Sequence, residues 1–302
     1  MKRPKVAIIG AGVVGTAIGT LLHQEGFPIA AVASRSMESA ERAVRYIGAG
    51  TASTNMVKAA KQGELIFITT PDGAIASVCD KIAAKKGFSE GSTVIHCCGA
   101  HSAEILSSAR SCGARVLSIH PLQTLADTDQ AVANLPGSFF ALDGDDEAIK
   151  TGKAVIRALG GSVMVIPSDG KMLYHAAAVV ACNYFVALVF QALRMFEKIG
   201  ISGDSGLPAL MPLIRGTVRN LEKAGIPKAL TGPIARGDLE TIEGHLNAFD
   251  RLMPEGKRIY CEMGVVAADV AEAKGTIDGE TKQRLLEMLN DFIEKSKIKN
   301  QI

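Results

Sequence analysis

Val6-Ala7-Ile8-Ile9-Gly10-Ala11-Gly12-Val13-Val14-Gly15 runs from a β-branched stretch straight into a G-x-G-x-x-G turn, then into a helical pattern. Each glycine has its own physical task in such a turn. Gly10 permits the tight bend, Gly12 lets backbone approach a pyrophosphate, and Gly15 allows the helix to pack closely on the strand. The free N–H groups of Ala11, Val13 and Val14 then point from the positive end of a helix toward the phosphates. The stretch predicts a dinucleotide-binding Rossmann turn. The second β-branched run ends at Ser34-Arg35-Ser36, where NAD-binding versions place a carboxylate for the ribose hydroxyls. A guanidinium between two hydroxyls suits a 2′-phosphate instead, so the expected cofactor is NADP, with NAD less favoured. Thr70, Pro71 and Asp72 close the third run, on the strand-end side where parallel sheets hold ligands.

From this turn the pattern extends outward. Expected strands are 5–9, 29–33, 65–69, 93–97, 115–119, 138–142 and 162–166, with amphipathic segments at 13–24, 37–46, 74–84 and 145–159. Strands that alternate with helices require crossovers, which predicts an α/β doubly wound, mostly parallel sheet. After Ile166 the strand signal stops, and glycine- and proline-punctuated helices are expected at 169–199, 207–223, 238–252, 258–274 and 280–297. The expected division is a Rossmann domain at 1–167 and an all-α domain at 168–302.

Composition excludes several classes. Of 302 residues, 47% are hydrophobic and 21% charged, so a large core is available. The net charge is +2, and the one dense basic run, Lys295 to Lys299, reads as a solvated helix end, so no nucleic-acid partner is expected. The six cysteines are scattered without a C-x-x-C pair, which predicts reduced thiols, no metal and a cytoplasmic location. Ala176 to Leu193 is almost wholly apolar but interrupted by Asn183 and Gln191, and predicts a buried central helix with no membrane role.

Polar residues in apolar surroundings mark the candidate chemistry. His96 and His120 end strands on the ligand side, with His96 a structural or cofactor-adjacent residue. Lys171 and His175, four apart, share a helix face. Asn183 lies on a similar face about 18 Å further along. Hydride transfer to a carbonyl leaves an alkoxide that needs a proton and charge stabilisation, which Lys171 and His120 are suited to supply, with His175 and Asn183 orienting them. Thr231 and Arg236, in Leu230-Thr231-Gly232-Pro233-Ile234-Ala235-Arg236-Gly237-Asp238, suit a substrate carboxylate.

GAGVVG at 10–15, TTPDGAI at 69–75, SIHPLQTL at 118–125, KMLYHAAAVVACNY at 171–184 and LTGPIARGD at 230–238 together resemble the predicted short-subunit NADP-dependent oxidoreductases. These join a Rossmann-like domain to a helical domain of unassigned function. That group is similar to the superfamily of 6-phosphogluconate dehydrogenase, 3-hydroxyisobutyrate dehydrogenase, ketopantoate reductase, pyrroline-5-carboxylate reductase and prephenate dehydrogenase. The resemblance implies a C-terminal domain like that of 6-phosphogluconate dehydrogenase and a homodimer formed through it. In the hydroxyacid branches a catalytic lysine is followed four residues later by asparagine. Lys171 matches the first, and His175 stands at the second. His120-Pro121 resembles the His-Pro pair of prephenate dehydrogenases, followed here by Leu122-Gln123. The implied reaction is NADP-linked interconversion of a small, carboxylate-bearing 2-oxo acid and its hydroxy acid, ketopantoate-like substrates included. Two alternatives stand beside it: an imine or amino-acid oxidoreductase of the pyrroline-5-carboxylate reductase type, and a non-catalytic NADP(H)-sensing protein.

Overall fold

The computed structural model describes residues 3–299, with side chains through residue 290, so the Lys295–Lys299 side chains lie outside the described residues. Eight strands form one sheet: β1 Val6–Ile9, β2 Ile29–Ala33, β3 Thr51–Ser53, β4 Leu65–Ile68, β5 Thr93–His96, β6 Arg115–Pro121, β7 Phe139–Gly144 and β8 Ser162–Val165. Their order is β3-β2-β1-β4-β5-β6-β7-β8. The first six form the doubly wound Rossmann order, all parallel, with the reversal of winding between β1 and β4. β7 runs antiparallel to β6, and β8 is parallel to β7.

The helices around this sheet are α1 Val13–Gln24, α2 Met37–Ile47, α3 Met56–Ala60, α4 Ile75–Ala84, α5 Ser107–Arg110, α6 Thr128–Asn134 and α7 Asp146–Ala158. Two apolar layers result, one on each face. Ile8, Ile18, Leu22, Phe67, Leu117 and Phe140 anchor one, and Ile66, Ile68, Ile75, Ile82, Val94 and Leu106 the other. Because both faces are covered, the inner strands β2, β1, β4, β5, β6 and β7 are largely buried, which explains their unbroken apolar runs, while the edge strands β3 and β8 are not. β3, α3, α5 and α6 escaped the sequence reading, being short or without an apolar period.

The remaining helices are α8 Lys171–Ala178, α9 Tyr184–Lys198, α10 Gly203–Ala224, α11 Leu239–Leu252, α12 Lys257–Lys274 and α13 Gly279–Lys299, with a π-helical stretch at Val179–Asn183. No strand occurs among the described residues after β8. The chain divides into two compact units at Cys182/Asn183, so α8 belongs with the sheet. In the second unit, Ile242, Leu246, Cys261, Ala268, Leu285 and Leu289 form the core between α11, α12 and α13.

One expectation requires correction. The apolar segment 176–193 is helical but not buried, with Val186 68% and Phe190 60% exposed, as is Leu173 just before it at 78%. The helical stretch Ser168–Lys198, of 31 residues with a mean hydropathy of 1.9 in its most apolar window, is long and apolar enough to cross a membrane by length and composition. Apolarity around a whole helix calls for apolar surroundings. No residue of that window is fully buried within the described chain.

Candidate functional site

The glycine turn is held by the sheet. The Gly10 N–H donates to the Ala33 carbonyl at 2.8 Å, and the Thr69 hydroxyl donates to the Gly10 carbonyl at 2.8 Å. Gly10 adopts φ +123°, and a Cβ there would lie 2.6 Å from the Thr69 carbonyl carbon, so glycine is required twice over. A Cβ on Gly15 would strike the Gly10 carbonyl and the Thr69 hydroxyl. A Cβ on Gly12 would meet nothing within 4 Å, because Gly12 faces open space at the start of α1, where no side chain caps the helix.

A cavity of about 390 Å³ opens at this point. Gly10, Ala11 and Gly12 form its floor, Ser34, Arg35 and Ser39 one wall, and Thr69, Thr70 and Pro71 another. Thr70 Oγ1 is buried without a hydrogen-bond partner among the described residues. An open glycine cradle, an uncapped helix start and an orphaned hydroxyl are what a dinucleotide's phosphates need, so the residues present fit that group. Ser36 has a different task. Its side chain accepts from the Ser39 N–H at 3.3 Å and caps α2. Val13 and Val14 begin α1, and Asp72 begins the 3-10 turn before α4 with its carboxylate toward Cys98. Ser39 and Thr54 also line the cavity and were not among the expected cofactor residues.

A second polar group sits at the ends of β5 and β6. The register places His96 beside Ser118, and Ser118 opposite Asp143, so three polar side chains form a row across one face of β5, β6 and β7. All three are buried, at 0%, 0% and 2% exposure. Lys171, at 1% exposure, donates from Nζ to Ser118 Oγ at 2.6 Å. Burial pushes the Lys171 ammonium down against the pull of Asp143, and pushes the Asp143 carboxyl up against the pull of Lys171. The His96 Nε2–H donates to the Ser102 carbonyl at 3.1 Å, while Nδ1 accepts from the Cys98 N–H at 3.2 Å. Burial, then Lys171, takes the His96 pKa down to about 3. Lys171, read from the sequence as a proton donor, lies inside the sheet unit with its Nζ donating to Ser118.

His120 lies two residues beyond Ser118 on the same face of β6, which continues to Pro121 because β7 pairs with it there. Its Nδ1 meets the Tyr174 hydroxyl at 2.8 Å, and its ring stands edge-on to His175 at 6.0 Å between centroids. Burial, then Lys171 and His175, lowers the His120 pKa to about 4, so the imidazole is neutral near pH 7. Burial raises the Tyr174 phenol to about 12 and the Cys97 thiol to about 12, which leaves both protonated. His175 Nδ1 is buried without a hydrogen-bond partner among the described residues. Thus Lys171, His120 and His175 gather in the first unit, joined by Tyr174, Ser118, Asp143 and Gly99, which the sequence reading did not select. Asn183, Thr231 and Arg236 belong to the second unit. There Arg236 is exposed and pairs with Asp238 at 3.8 Å. No group of three or more His, Cys, Asp or Glu side chains able to hold a metal occurs among the described residues.

Fold and cradle define a Rossmann-type nucleotide-binding chain with an all-helical C-terminal part. Residues 1–121 match the model of the Rossmann-like domain, and residues 138–266 match the model described as Domain of unknown function (DUF2520). The chain therefore joins a Rossmann-like domain to a helical domain of unassigned function, as its motifs led us to expect. No curated protein matches it. Among solved structures, protein TM1727 of Thermotoga maritima is 26% identical with a TM-score of 0.72, over 89% of this chain and 99% of that one. A Bacteroides fragilis protein provisionally named an NADP oxidoreductase is 23% identical with a TM-score of 0.68, over the same shares. The reductive aminase of Aspergillus terreus, solved with NADPH and ethyl-5-oxohexanoate, is 17% identical with a TM-score of 0.59, over 97% of this chain and 94% of that one. Other neighbours of this fold include a pyrroline-5-carboxylate reductase and imine reductases.

Proposed function

We propose that this chain is an NADP(H)-dependent oxidoreductase that interconverts a small, carboxylate-bearing 2-oxo acid and its hydroxy acid. The observation that carries the cofactor is the cavity wall itself. Ser34 and Arg35 line the same space as Gly10 and Gly12, and the residue at the end of β2 is a guanidinium where NAD sites use a carboxylate. Gly10, Ala11, Gly12, Val13, Val14 and Gly15 would hold the pyrophosphate, Ser34 and Arg35 the 2′-phosphate, and Thr70, Pro71 and Asp72 the far wall, with Ser36 fixing α2 beneath them. When bound, the reduced nicotinamide would supply the hydride, and the chain's own residues position the substrate and its proton. In this reading the side chains at the ends of β5 and β6 polarise the reacting oxygen and manage its proton. His120 faces the substrate, His175 and Asn183 orient the group, and Lys171 supports it electrostatically from within. Thr231 and Arg236 would bind the carboxylate.

We assign the uncovered apolar face of α8 and α9 to a second copy of the chain, in a homodimer built through the helical domain, and place the protein in the cytoplasm. Light scattering on the purified chain checks the first: a monomer at micromolar concentration refutes it. The imine reductases among the fold neighbours support imine reduction as a second reading.

Titration of NADPH and NADH by fluorescence tests the cofactor assignment. NADPH is expected to bind at least about tenfold tighter, roughly 1.4 kcal/mol, and Arg35→Ala to erase the difference. Equal affinities in the unaltered protein refute it. A screen of 2-oxo acids and cyclic imines, followed by loss of NADPH absorbance, separates the two reaction classes. NADPH binding without turnover would leave a cofactor sensor.

A further inference from the structure

The first turn of α2 carries more polar chemistry toward the cofactor cavity than Ser34 and Arg35 alone. Ser39 lines that cavity beside both of them and is half-buried. Its hydroxyl oxygen accepts from Arg42 Nη2 at 3.3 Å. It also lies 2.9 Å from the Ser36 hydroxyl, which caps the helix by accepting from the Ser39 N–H. Arg42 reaches Ser39 because long helical side chains lean back toward the N-terminus, and positions three apart share a face. The same guanidinium meets the Glu38 carboxylate at 3.7 Å, in an i,i+4 pair whose side chains are 64% and 84% exposed. So open a pair is worth only about a twofold preference, which does not lock Arg42 to Glu38.

Charge at this wall decides what Arg42 is for. A 2′-phosphate brings about 1.5 to 2 negative charges near pH 7. Against it Arg35 sets one positive charge and Glu38 one negative, and these two cancel. The start of α2 adds about half a positive charge. Arg42 brings the wall to a clear positive balance.

We propose that Ser39 is a further specificity-determining residue, donating its O–H to the 2′-phosphate, and that Arg42 is a positioning residue acting through Ser39, with Glu38 as the opposing charge. This rests on the NADP(H) reading above. An arginine only donates, so Arg42 occupies a lone pair of Ser39 Oγ from behind and leaves the hydroxyl proton to an acceptor on the cavity side. A hydroxyl rotates to suit its partner, and a charge-assisted bond to phosphate is stronger than the neutral bond to Ser36. The guanidinium holds the Ser39 rotamer and polarises its O–H toward the anion. NADH offers an uncharged ribose at this point. Ser39 and Arg42 therefore act on the difference between the two cofactors, not on dinucleotide binding as such.

Fluorescence titration of the full chain with NADPH and with NADH tests this. Ser39→Ala keeps the Ser39 N–H that the helix cap uses, and should weaken NADPH about tenfold while NADH changes by less than about twofold. Arg42→Ala should weaken NADPH by roughly three- to tenfold, again with NADH nearly unmoved. The two losses should fall short of additive in the double variant, because Arg42 acts through Ser39. Glu38→Gln should tighten NADPH about twofold, a gain that damage to the fold does not produce. Competition by adenosine 2′,5′-bisphosphate should follow the NADPH pattern, and competition by AMP the NADH pattern. Losses shared equally by NADPH and NADH overturn the proposal, as do fully additive losses or a Glu38→Gln protein that binds NADPH more weakly. Equal affinity of the unaltered protein for NADPH and NADH overturns the NADP(H) reading and this inference with it. A parental preference for NADPH that survives both Ser39→Ala and Arg42→Ala overturns this inference alone.

Discussion

Removing the Lys171 ammonium while leaving Asp143 in place perturbs the most heavily buried charges of the sheet unit. Lys171 is 1% and Asp143 2% exposed, and Asp143 already has one oxygen, Oδ2, without a hydrogen-bond partner among the described residues. Its other oxygen accepts from the Ala103 N–H at 2.9 Å. Lys171→Met fills similar volume but strips the carboxylate of its counter-charge and Ser118 of its donor. Lys171 and Asp143 are not in ion-pairing contact, so the loss is that of a hydrogen bond to Ser118 and of a through-space attraction between buried groups, about 1–3 kcal/mol. For a unit of 182 residues that is a melting-temperature loss of roughly 2–12 °C. The cost should depend on pH. Asp143 escapes by taking a proton, and its folded pKa is then raised further above the unfolded value. The loss is therefore smallest in acid and grows as pH rises, until the carboxylate is ionised in both states. Asp143→Asn strands the ammonium, which escapes by losing a proton, so that loss shrinks as pH rises. The double variant Lys171→Met/Asp143→Asn should recover about 1–3 kcal/mol relative to the sum of the single losses. Urea denaturation of all four proteins at two pH values measures the coupling. Additive single losses, or a Lys171→Met protein that melts like the parent, would refute the coupling between Lys171 and Asp143.

Acid should weaken the fold through the histidines. His96, lowered to about 3, and His120, lowered to about 4, stay neutral when folded, while their unfolded counterparts take protons below about pH 6.5. Stability is unaffected above that pH and lost as pH falls toward the folded values, by about 1.4 kcal/mol per pH unit for each histidine. Denaturation at pH 4.5 against pH 7 should show about 5 kcal/mol of loss, and His96→Asn should remove about half of it. Two glycines of the turn should separate binding from folding. Gly12→Ala, whose Cβ enters open space, should keep the parental melting temperature and lose most NADPH affinity in a titration. Gly15→Ala, whose Cβ meets the Gly10 carbonyl, should lower the melting temperature outright.

The cofactor end of the fold was legible because it depends on neighbours in the chain. Strand, glycines and helix follow one another from Val6 to Gln24, and the β2 terminus comes soon after. The direction of β7 was not legible. A strand buried on both faces carries the same apolar run whether it lies parallel or antiparallel to β6, and only the pairing of His120 with Ala141 decides it. The same reversal brings Asp143 opposite Ser118, so this member of the buried row was invisible in a reading that tracked strand ends. Lys171, His120 and His175 stood out as polar residues in apolar company. Gly99 did not, because what makes it informative is the approach of two rings from β6 and α8. The apolar run of α9 could be recognised, but not what covers it. A helix that packs against its own chain and one that packs against another copy share the same composition.

The division at Cys182/Asn183 has a consequence for how such chains can be recombined. A graft cut at the last strand, near Pro167, would carry the sheet away without Lys171, Tyr174 and His175, and would leave Ser118 and His120 facing side chains from a foreign parent. A graft cut within the π-helical stretch at Val179–Asn183 would transfer the proton-handling cluster intact and exchange only the helices from α9 onward. Chimaeras of the second kind should inherit their pH response from the first parent and their helical surface from the second. If lineages have traded helical domains, the seam compatible with continued chemistry lies inside a helix rather than in the loop that precedes it.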